Sequence, residues 1–168
     1  MERVAVYPGS FDPITNGHLD LVRRGLNIVD RIIIAVAINP QKKHMFTIEE
    51  RVEMATKAIG DNPRVTVGSF EGLLVDYLKK QNTHILLRGV RAVLDFEYEF
   101  QMALMNRRLD RSVETIFMMT GYKWFYVSSR IIRDVVVAGG NVDEIVPDCV
   151  AKKLREKFAE GCFNKNDR

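Results

Sequence analysis

Five short apolar runs, separated by segments of helical periodicity, limit most strongly how this chain can fold. The clearest run is Arg31–Ala37, whose β-branched residues continue without the polar alternation of a half-exposed strand. Continuous apolarity is typical of strands that are buried on both faces, and the helical segments between them supply the cover. The pattern therefore predicts an α/β fold, a single doubly wound Rossmann-like domain with a five-stranded parallel sheet.

Element boundaries follow from the same periodicities and from helix caps. The segment Thr47-Ile-Glu-Glu50 is a capping box, so a helix is predicted to begin there and to end near Ile59. The predicted strands are residues 3–7, 31–37, 65–67, 84–88 and 115–118. The predicted helices are residues 17–29, 47–59, 73–81, 95–109, 128–138 and 147–163.

The chain has 168 residues, which suits a single domain spanning residues 1–168, with residues 164–168 expected to fray. Its net charge of +3 is too small to indicate nucleic acid or an acidic membrane surface as a partner. No signal peptide precedes the first strand and no apolar run has membrane-spanning length, so a cytoplasmic location is expected.

The two cysteines, Cys149 and Cys162, indicate neither a disulfide nor a metal site. On one helix they would lie about 20 Å apart along the axis, which is beyond disulfide reach. No cluster of His or Cys accompanies them, as a zinc site would require.

Polar residues and glycines are concentrated in the loops that follow four of the strands. These loops are residues 8–12, 39–43, 88–91 and 120–124, and three of them carry cations while three carry glycine. In open α/β sheets, ligands bind outside the carboxyl ends of the strands. The loops are therefore predicted to converge on a phosphate-rich ligand.

The first of these loops belongs to the stretch Tyr-Pro-Gly-Ser-Phe-Asp-Pro-Ile-Thr-Asn-Gly-His, residues 7–18. Gly9 permits a sharp turn and a close approach to a ligand, and Ser10 offers a hydroxyl and an amide. A helix that begins near Gly17 directs its amides at the same space, where His18 adds a donor that can be cationic. These groups suit a phosphorus centre that gains negative charge. The alternative is an ordinary loop with His18 exposed.

Several common nucleotide-binding and hydrolase motifs are missing from the sequence. It has neither G-x-G-x-x-G after the first strand nor G-x-x-x-x-G-K-[ST]. No nucleophile elbow is present either. A dinucleotide dehydrogenase, a P-loop NTPase and a serine hydrolase are therefore not indicated.

The segment Thr15-Asn16-Gly17-His18 resembles the T/H-x-G-H motif of the nucleotidyltransferase superfamily, and residues 7–18 closely resemble bacterial phosphopantetheine adenylyltransferases. Further segments match that family in order and spacing. They are Lys42-Lys43, Phe46-Thr-Ile-Glu-Glu-Arg51, Arg88-Gly-Val-Arg-Ala-Val-Leu-Asp-Phe-Glu-Tyr-Glu99, Trp124 and Val127-Ser128-Ser129. Together they span most of the chain.

The resemblance implies transfer of the adenylyl group of ATP to 4′-phosphopantetheine, giving dephospho-coenzyme A and pyrophosphate in the penultimate step of coenzyme A synthesis. It implies direct attack on the α-phosphorus without a covalent enzyme intermediate, so catalysis rests on positioning and charge stabilisation. Mg²⁺ is expected on the ATP phosphates, with no metal ligands from the protein. Coenzyme A as a feedback ligand and a homohexamer of paired trimers are also implied.

The resemblance also implies the roles of individual residues. His18 would donate to the α-phosphate, Lys42 would hold the transferring and attacking phosphates together, and Arg91 would meet the ATP phosphates. The residues implied on the pantetheine side are Ser10, Lys42, Leu74 and Arg88. The residues implied to bind ATP are Gly9, Ser10, Phe11, Gly17, His18, Gly89, Val90, Arg91, Glu99, Trp124, Phe125, Tyr126, Val127, Ser128, Ser129 and Arg130.

Several of these residues also suit an ordinary structural role. Lys42 and Lys43 suit a solvated loop, Arg88 a strand-end ion pair, Leu74 the core, and Glu99 a solvated helix face.

The sequence departs from the family pattern at two places. The family has I-S-S-S with a basic residue shortly after, whereas here Arg130 replaces the third serine and Arg133 follows. Residues 120–122 also differ from the family's Pro-Ser-type loop. These departures concern contacts to adenine and triphosphate.

Three rival functions make different demands on the sequence. A nicotinate-nucleotide or glycerol-phosphate nucleotidyltransferase would keep T-x-G-H but not residues 88–99 as they stand. A non-catalytic nucleotide-sensing or RNA-binding module would have lost His18 or Lys42, and both are present. A fragment of a class I aminoacyl-tRNA synthetase would carry a K-M-S-K-S-like segment.

The segment 95–108 has apolar residues on more than one face. One side carries Phe96, Phe100, Ala103 and Leu104, and another carries Tyr98, Met102 and Met105. A helix that packs only on its own sheet needs a single apolar stripe. The second face therefore indicates either a subunit contact, where Met and aromatic residues are enriched, or a neighbouring helix of the same chain.

Overall fold

The structure is a computed structural model that describes residues 2–91 and 93–159. Its strands are β1 Val4–Gly9, β2 Arg31–Ala37, β3 Val65–Phe70, β4 Ile85–Val90 and β5 Glu114–Met119. Its helices are α1 Asn16–Gly25, α2 Ile48–Ile59, α3 Leu74–Lys80, α4 Val93–Leu109, α5 Ser129–Val137 and α6 Asp148–Ala159, and a 3₁₀ turn spans Tyr122–Trp124. Cys162 and the predicted frayed end, residues 164–168, lie outside the described residues.

All strand pairs are parallel, and the sheet has the order β3-β2-β1-β4-β5. The predicted doubly wound fold is therefore confirmed. The connections run outward from β1 through β2 to β3 and then return to the other side of β1. This reversal between β1 and β4 is the topological switch point at which such sheets bind ligands.

β1 and β4 pair along only a short part of their length. β1 is in register with β2 from Val4–Arg31 to Gly9–Val36, whereas its register with β4 consists of Ala5–Ile85 and Val6–Leu86. The two strands no longer pair beyond these residues. A crevice opens there, at the carboxyl edge of the sheet.

Side chains of the central strands alternate between two hydrophobic clusters on opposite faces of the sheet. In β2, Ile32, Ile34 and Val36 belong to the larger cluster, which contains buried residues of α1, α2, α5 and α6. Ile33 and Ala35 belong to the smaller cluster, which contains Val75 and Leu78 of α3. Burial on both faces explains why the strands are continuously apolar.

Two boundaries differ clearly from the sequence prediction. The first helix was predicted to reach residue 29 but ends at Gly25, because the Arg64 guanidinium binds the carbonyl oxygens of the segment that follows, those of Leu26, Val29 and Asp30. β3 continues beyond the predicted residue 67 to Phe70, because β2 pairs with it throughout.

α4 exposes apolar side chains on both of the faces that the sequence identified. The exposed residues are Phe96, Tyr98, Phe100, Met102, Leu104, Met105 and Leu109. Within residues 2–91 and 93–159, no neighbouring helix of the chain buries the second face, so that alternative is wrong for the single chain. In the same part of the chain, no helix is long and apolar enough to cross a membrane.

Candidate active site

Two adjoining cavities lie at the carboxyl edge of the sheet, with volumes of about 690 Å³ and 590 Å³. We call them the apolar cavity and the polar cavity. The apolar cavity extends between the ends of β2 and β3 and the side of α4. The polar cavity extends from β1 to the first turns of α1 and α5. The residues that line both are Pro8, Gly9, Ser10, Lys42, Arg88, Tyr98 and Glu99, and we call this shared wall the junction.

His18 lines the polar cavity in a fixed orientation. Thr15 is the N-cap of α1, and its backbone N–H donates to His18 Nδ1 at 3.0 Å, so the histidine takes the place of the usual Glu or Gln of a capping box. A ring nitrogen that accepts a hydrogen bond carries no proton. The neutral imidazole therefore keeps its proton on Nε2, where it can donate to a ligand.

The half-buried His18 ring is neutral at physiological pH in the ligand-free site. Burial, together with the nearby Arg91 and Arg88 cations, lowers the pKa of His18 to about 4. Desolvation and the nearby cations both disfavour the imidazolium, so the donor that the sequence allowed to be cationic is neutral in the free protein. The alternative of an exposed residue in the first turn is wrong.

The sharp turn after β1 has a different origin from the one predicted. Gly9 is the last residue of the strand, whereas Phe11 takes the positive φ of 45°. The Phe11 ring packs edge-on against His18, with ring centroids 5.1 Å apart. This turn thus places an aromatic support beneath the histidine.

Arg88 and Glu99 form an ion pair at the junction. Arg88 Nε donates to Glu99 Oε2 at 2.6 Å, Nη2 donates to Glu99 Oε1, and Nη1 donates to the Pro8 carbonyl oxygen at 2.6 Å. The strand-end ion pair foreseen for Arg88 is confirmed, and Glu99 does not lie on a solvated helix face. Binding of pantetheine by Arg88 and of ATP by Glu99 stays a prediction.

Lys42 lies on the exposed loop between β2 and α2 and lines both cavities. Its ammonium group forms no ion pair with any residue that the structure describes. Leu74, the first residue of α3, lines the apolar cavity and also packs against the smaller core cluster. The core packing that the sequence offered for Leu74 is confirmed, and its contact with the pantetheine arm stays a prediction.

The first turn of α5 forms the far wall of the polar cavity. Ser128 caps the helix by accepting from the Ile131 N–H at 3.1 Å, as predicted, and Ser129 Oγ donates to the Pro13 carbonyl oxygen at 2.8 Å. Arg91 Nη1 donates to the Val127 carbonyl oxygen at 3.2 Å, which ties the loop after β4 to α5. The wall thus combines helix amides with nearby cations, an arrangement that suits phosphate.

Most residues expected to bind ATP line the polar cavity, and four do not. Those in its lining are Gly9, Ser10, Phe11, Gly17, His18, Gly89, Arg91, Glu99, Val127, Ser128, Ser129 and Arg130. Val90, Trp124, Phe125 and Tyr126 are not among the lining residues. A Cβ on Gly17 would lie 3.3 Å from Trp124 Cβ, so the tryptophan packs against the start of α1 instead.

No sequence pattern assigned a role to Asp12, a carboxylate buried beside the polar cavity. It accepts from the Met45 and Phe46 N–H groups at 2.9 Å each, and from Arg133 Nη1 at 2.7 Å. A sequence signal for this contact was available. Ser129 and Arg133 are four residues apart, so they share the face of α5 that approaches the loop after β1.

Arg51 is a second buried residue that the sequence left without a role. Its Nη1 donates to the carbonyl oxygens of Ser10 at 2.8 Å and Ala37 at 3.1 Å, so it joins the ends of β1 and β2. In the described part of the chain, no group of three or more His, Cys, Asp or Glu side chains could hold a metal ion.

Comparison with known proteins agrees with this geometry. Residues 6–135 match the cytidylyltransferase-like family. The chain is 54% identical over 158 residues to the phosphopantetheine adenylyltransferase of Syntrophus aciditrophicus (strain SB), covering 94% of this chain and 96% of the relative. It is 52% identical over 156 residues to the enzyme of the same name from Caldanaerobacter subterraneus subsp. tengcongensis, covering 93% and 98%.

Proposed function

The chain belongs to the phosphopantetheine adenylyltransferases, within the cytidylyltransferase-like family, and we infer its reaction from that membership. It is a nucleotidyltransferase that transfers the adenylyl group of ATP to 4′-phosphopantetheine, giving dephospho-coenzyme A and pyrophosphate. The observation that best supports the site is the junction between the two cavities. A reaction that joins two phosphate-bearing substrates needs two binding spaces with a common boundary.

In our proposal, ATP occupies the polar cavity and the pantetheine arm occupies the apolar cavity. The amides at the starts of α1 and α5, together with Arg91, favour the triphosphate in the polar cavity. The apolar cavity suits the arm because Phe70, Leu74 and Met102 line it. The phosphate at the end of the arm then meets the α-phosphate of ATP at the junction, beside Ser10 and Lys42.

The proposed chemistry is a direct displacement at the α-phosphorus. An oxygen of the pantetheine phosphate forms a bond to the α-phosphorus while the bond to the bridging oxygen of the β-phosphate breaks, and pyrophosphate leaves with those electrons. His18 Nε2–H donates to an α-phosphoryl oxygen and keeps its proton. Lys42 neutralises the two phosphates that repel one another. Catalysis is then positioning plus charge stabilisation, and no protein nucleophile takes part.

Magnesium enters this proposal as part of the nucleotide. Glu99, the acid in the lining of the polar cavity, is already bound to Arg88. The described carboxylates therefore do not fit a protein-held ion, whereas Mg²⁺ readily binds substrate phosphates. No step above depends on the metal.

The proposed assembly is a homohexamer of paired trimers, as in the family that the sequence resembles. The exposed apolar residues of α4 that line neither cavity, Phe96, Phe100 and Leu104, support a subunit contact on that helix. Coenzyme A as a feedback ligand is supported by its composition, because it carries both a pantetheine arm and an adenosine moiety. A cytoplasmic location stays our expectation.

Pyrophosphate release tests the proposed reaction. With ATP and magnesium present, release is expected to require 4′-phosphopantetheine, and pantetheine without its phosphate is expected to give none because the nucleophile is missing. In a parallel arm with adenosine-labelled ATP and no second substrate, the denatured protein is expected to carry no label. Label on the protein would contradict direct displacement, whereas release that ignores 4′-phosphopantetheine would contradict the substrate.

A further inference from the structure

Asp12 is a buried carboxylate that lies outside the lining of both cavities, yet it joins three parts of the site. Its Oδ1 accepts from the Phe46 N–H at 2.9 Å, and its Oδ2 accepts from the Met45 N–H at 2.9 Å. Arg133 Nη1, on α5, donates to Oδ2 at 2.7 Å and to the Asp12 carbonyl oxygen at 3.1 Å. His44 Nδ1 lies 3.5 Å from Oδ2. The loop after β1 is thereby joined to the β2–α2 loop and to α5.

The β2–α2 loop that carries Lys42 is anchored at both ends by buried charges. At its start, Arg51 holds the Ala37 carbonyl oxygen at 3.1 Å. At its end, Asp12 holds the amides of Met45 and Phe46, which follow Lys42 by three and four residues in the chain. Lys42 itself is exposed and makes no ion pair with a described residue. Its place at the junction is therefore set through the backbone, by these two anchors.

We propose that Asp12 is a positioning residue that fixes Lys42 between the two reacting phosphates. The carboxylate supplies only acceptors, and the groups that bind it, the Met45 and Phe46 amides and the Arg133 guanidinium, are donors. An asparagine at this position would turn an NH₂ group toward an amide N–H or the Arg133 guanidinium, so one contact would become repulsive. A displacement of the loop by about 1 Å is enough to cost about 100-fold in rate when a group must lie between two reactants.

The proposal rests on the function given above to Lys42, so the test is a double-mutant cycle on kcat/KM. Asp12→Asn is expected to lower kcat/KM by about 100-fold in the parent protein and by less than about threefold in a Lys42→Ala background, because the lysine it positions is then gone. The dissociation constant of ATP, measured by calorimetry without the second substrate, is expected to stay within about threefold of the parent, since His18, Arg91 and the start of α5 are unchanged.

Asp20→Asn is the matched control. Asp20 is also largely buried, and it pairs with Arg23 and Arg24 on α1, away from the Lys42 loop. Its effect is expected to be the same with and without Lys42. If Asp12→Asn fails to give folded protein by near-ultraviolet circular dichroism, Arg133→Lys replaces it in the cycle under the same criteria.

The outcomes separate the two proposals. Equal losses for the Asp12 variant in both backgrounds, or loss of ATP binding, would overturn the positioning role. An unchanged kcat/KM for Lys42→Ala alone would instead overturn the function proposed for the lysine.

Discussion

His18 shows how one side chain is prepared by its neighbours before any substrate arrives. The Thr15 amide occupies Nδ1, so the proton of the neutral ring is on Nε2. The lowered pKa of the ring means that, in the ligand-free protein, a neutral donor faces the polar cavity at physiological pH. A neutral donor stabilises charge that builds on the phosphate without having to give up its own proton.

Replacing His18 by alanine is expected to reduce kcat by about 10²- to 10³-fold, the usual effect of removing one donor that acts in the transition state. ATP binding, measured by calorimetry, is expected to weaken far less. His84→Ala is the control, because His84 is exposed at the opposite edge of the sheet, and it is expected to keep full turnover. A His18→Ala enzyme within about tenfold of the parent, or about 1.4 kcal/mol, would exclude the catalytic role.

The low pKa of His18 also predicts a pH dependence of stability. The unfolded ring has an ordinary pKa of 6.5 and the folded ring one of about 4, so the unfolded state binds more protons between these values. The free energy of unfolding is therefore expected to fall as pH drops from 6.5 toward 4. Nuclear magnetic resonance of the imidazole carbons checks the cause. We expect His18 to titrate near 4, and a His18 midpoint near 6.5 would refute the burial argument.

At the scale of elements, helix ends and strand lengths depend on contacts that are distant in sequence. Apolar runs predicted every strand, and cap residues predicted the starts of α2 and α5, because those signals are local. The end of α1 was not predictable, since it depends on Arg64, a residue on the far side of α2 in the chain. An ion pair of Arg88 was foreseen, but its partner Glu99 was not, and neither were the partners of Asp12, because these contacts form only once the loops meet.

Gly25, the last residue of α1, provides a test of packing between that helix and the sheet. A Cβ there would lie 2.9 Å from both Ile32 Cδ1 and Leu87 Cδ2. Alanine at this position is expected to gain up to about 1 kcal/mol in helix propensity and to lose about 1–3 kcal/mol through overpacking. Urea unfolding should therefore show net destabilisation.

Gly68→Ala is the control for this packing test. Its Cβ would meet Tyr77 Oη at 3.5 Å, an ordinary contact, so no loss of stability is expected. A Gly25→Ala protein as stable as the parent would show that the interface relaxes freely.

At the scale of the whole molecule, the single chain leaves one helix incompletely covered. α4 carries Glu99, which holds Arg88 at the junction, and its apolar residues point away from the chain's own core. Contact with another subunit would bury those residues and steady the helix on which the site depends. Assembly and activity are thus expected to change together.

Leu104→Glu is expected to break the assembly and lower turnover, because a charge cannot be buried in an apolar contact without a partner. Leu104 is 54% exposed in the single chain and lines neither cavity. Ile28→Glu is the control, since Ile28 is 41% exposed in the turn after α1, and it should keep the parent mass. Light scattering at micromolar protein decides the point. A monomeric parent with full activity would rule out both the hexamer and its link to the site.

The junction has a consequence for what leaves the enzyme. In the proposed arrangement each substrate occupies one cavity, whereas the product that joins them occupies both and is therefore a bivalent ligand. When one end dissociates, the other keeps it nearby at an effective concentration in the millimolar range. Rebinding of the released end then competes with dissociation of the whole product. The product therefore binds more tightly than either of its two parts would alone, although no new contact is made. We therefore expect departure of dephospho-coenzyme A, rather than bond formation, to limit the rate of the cycle.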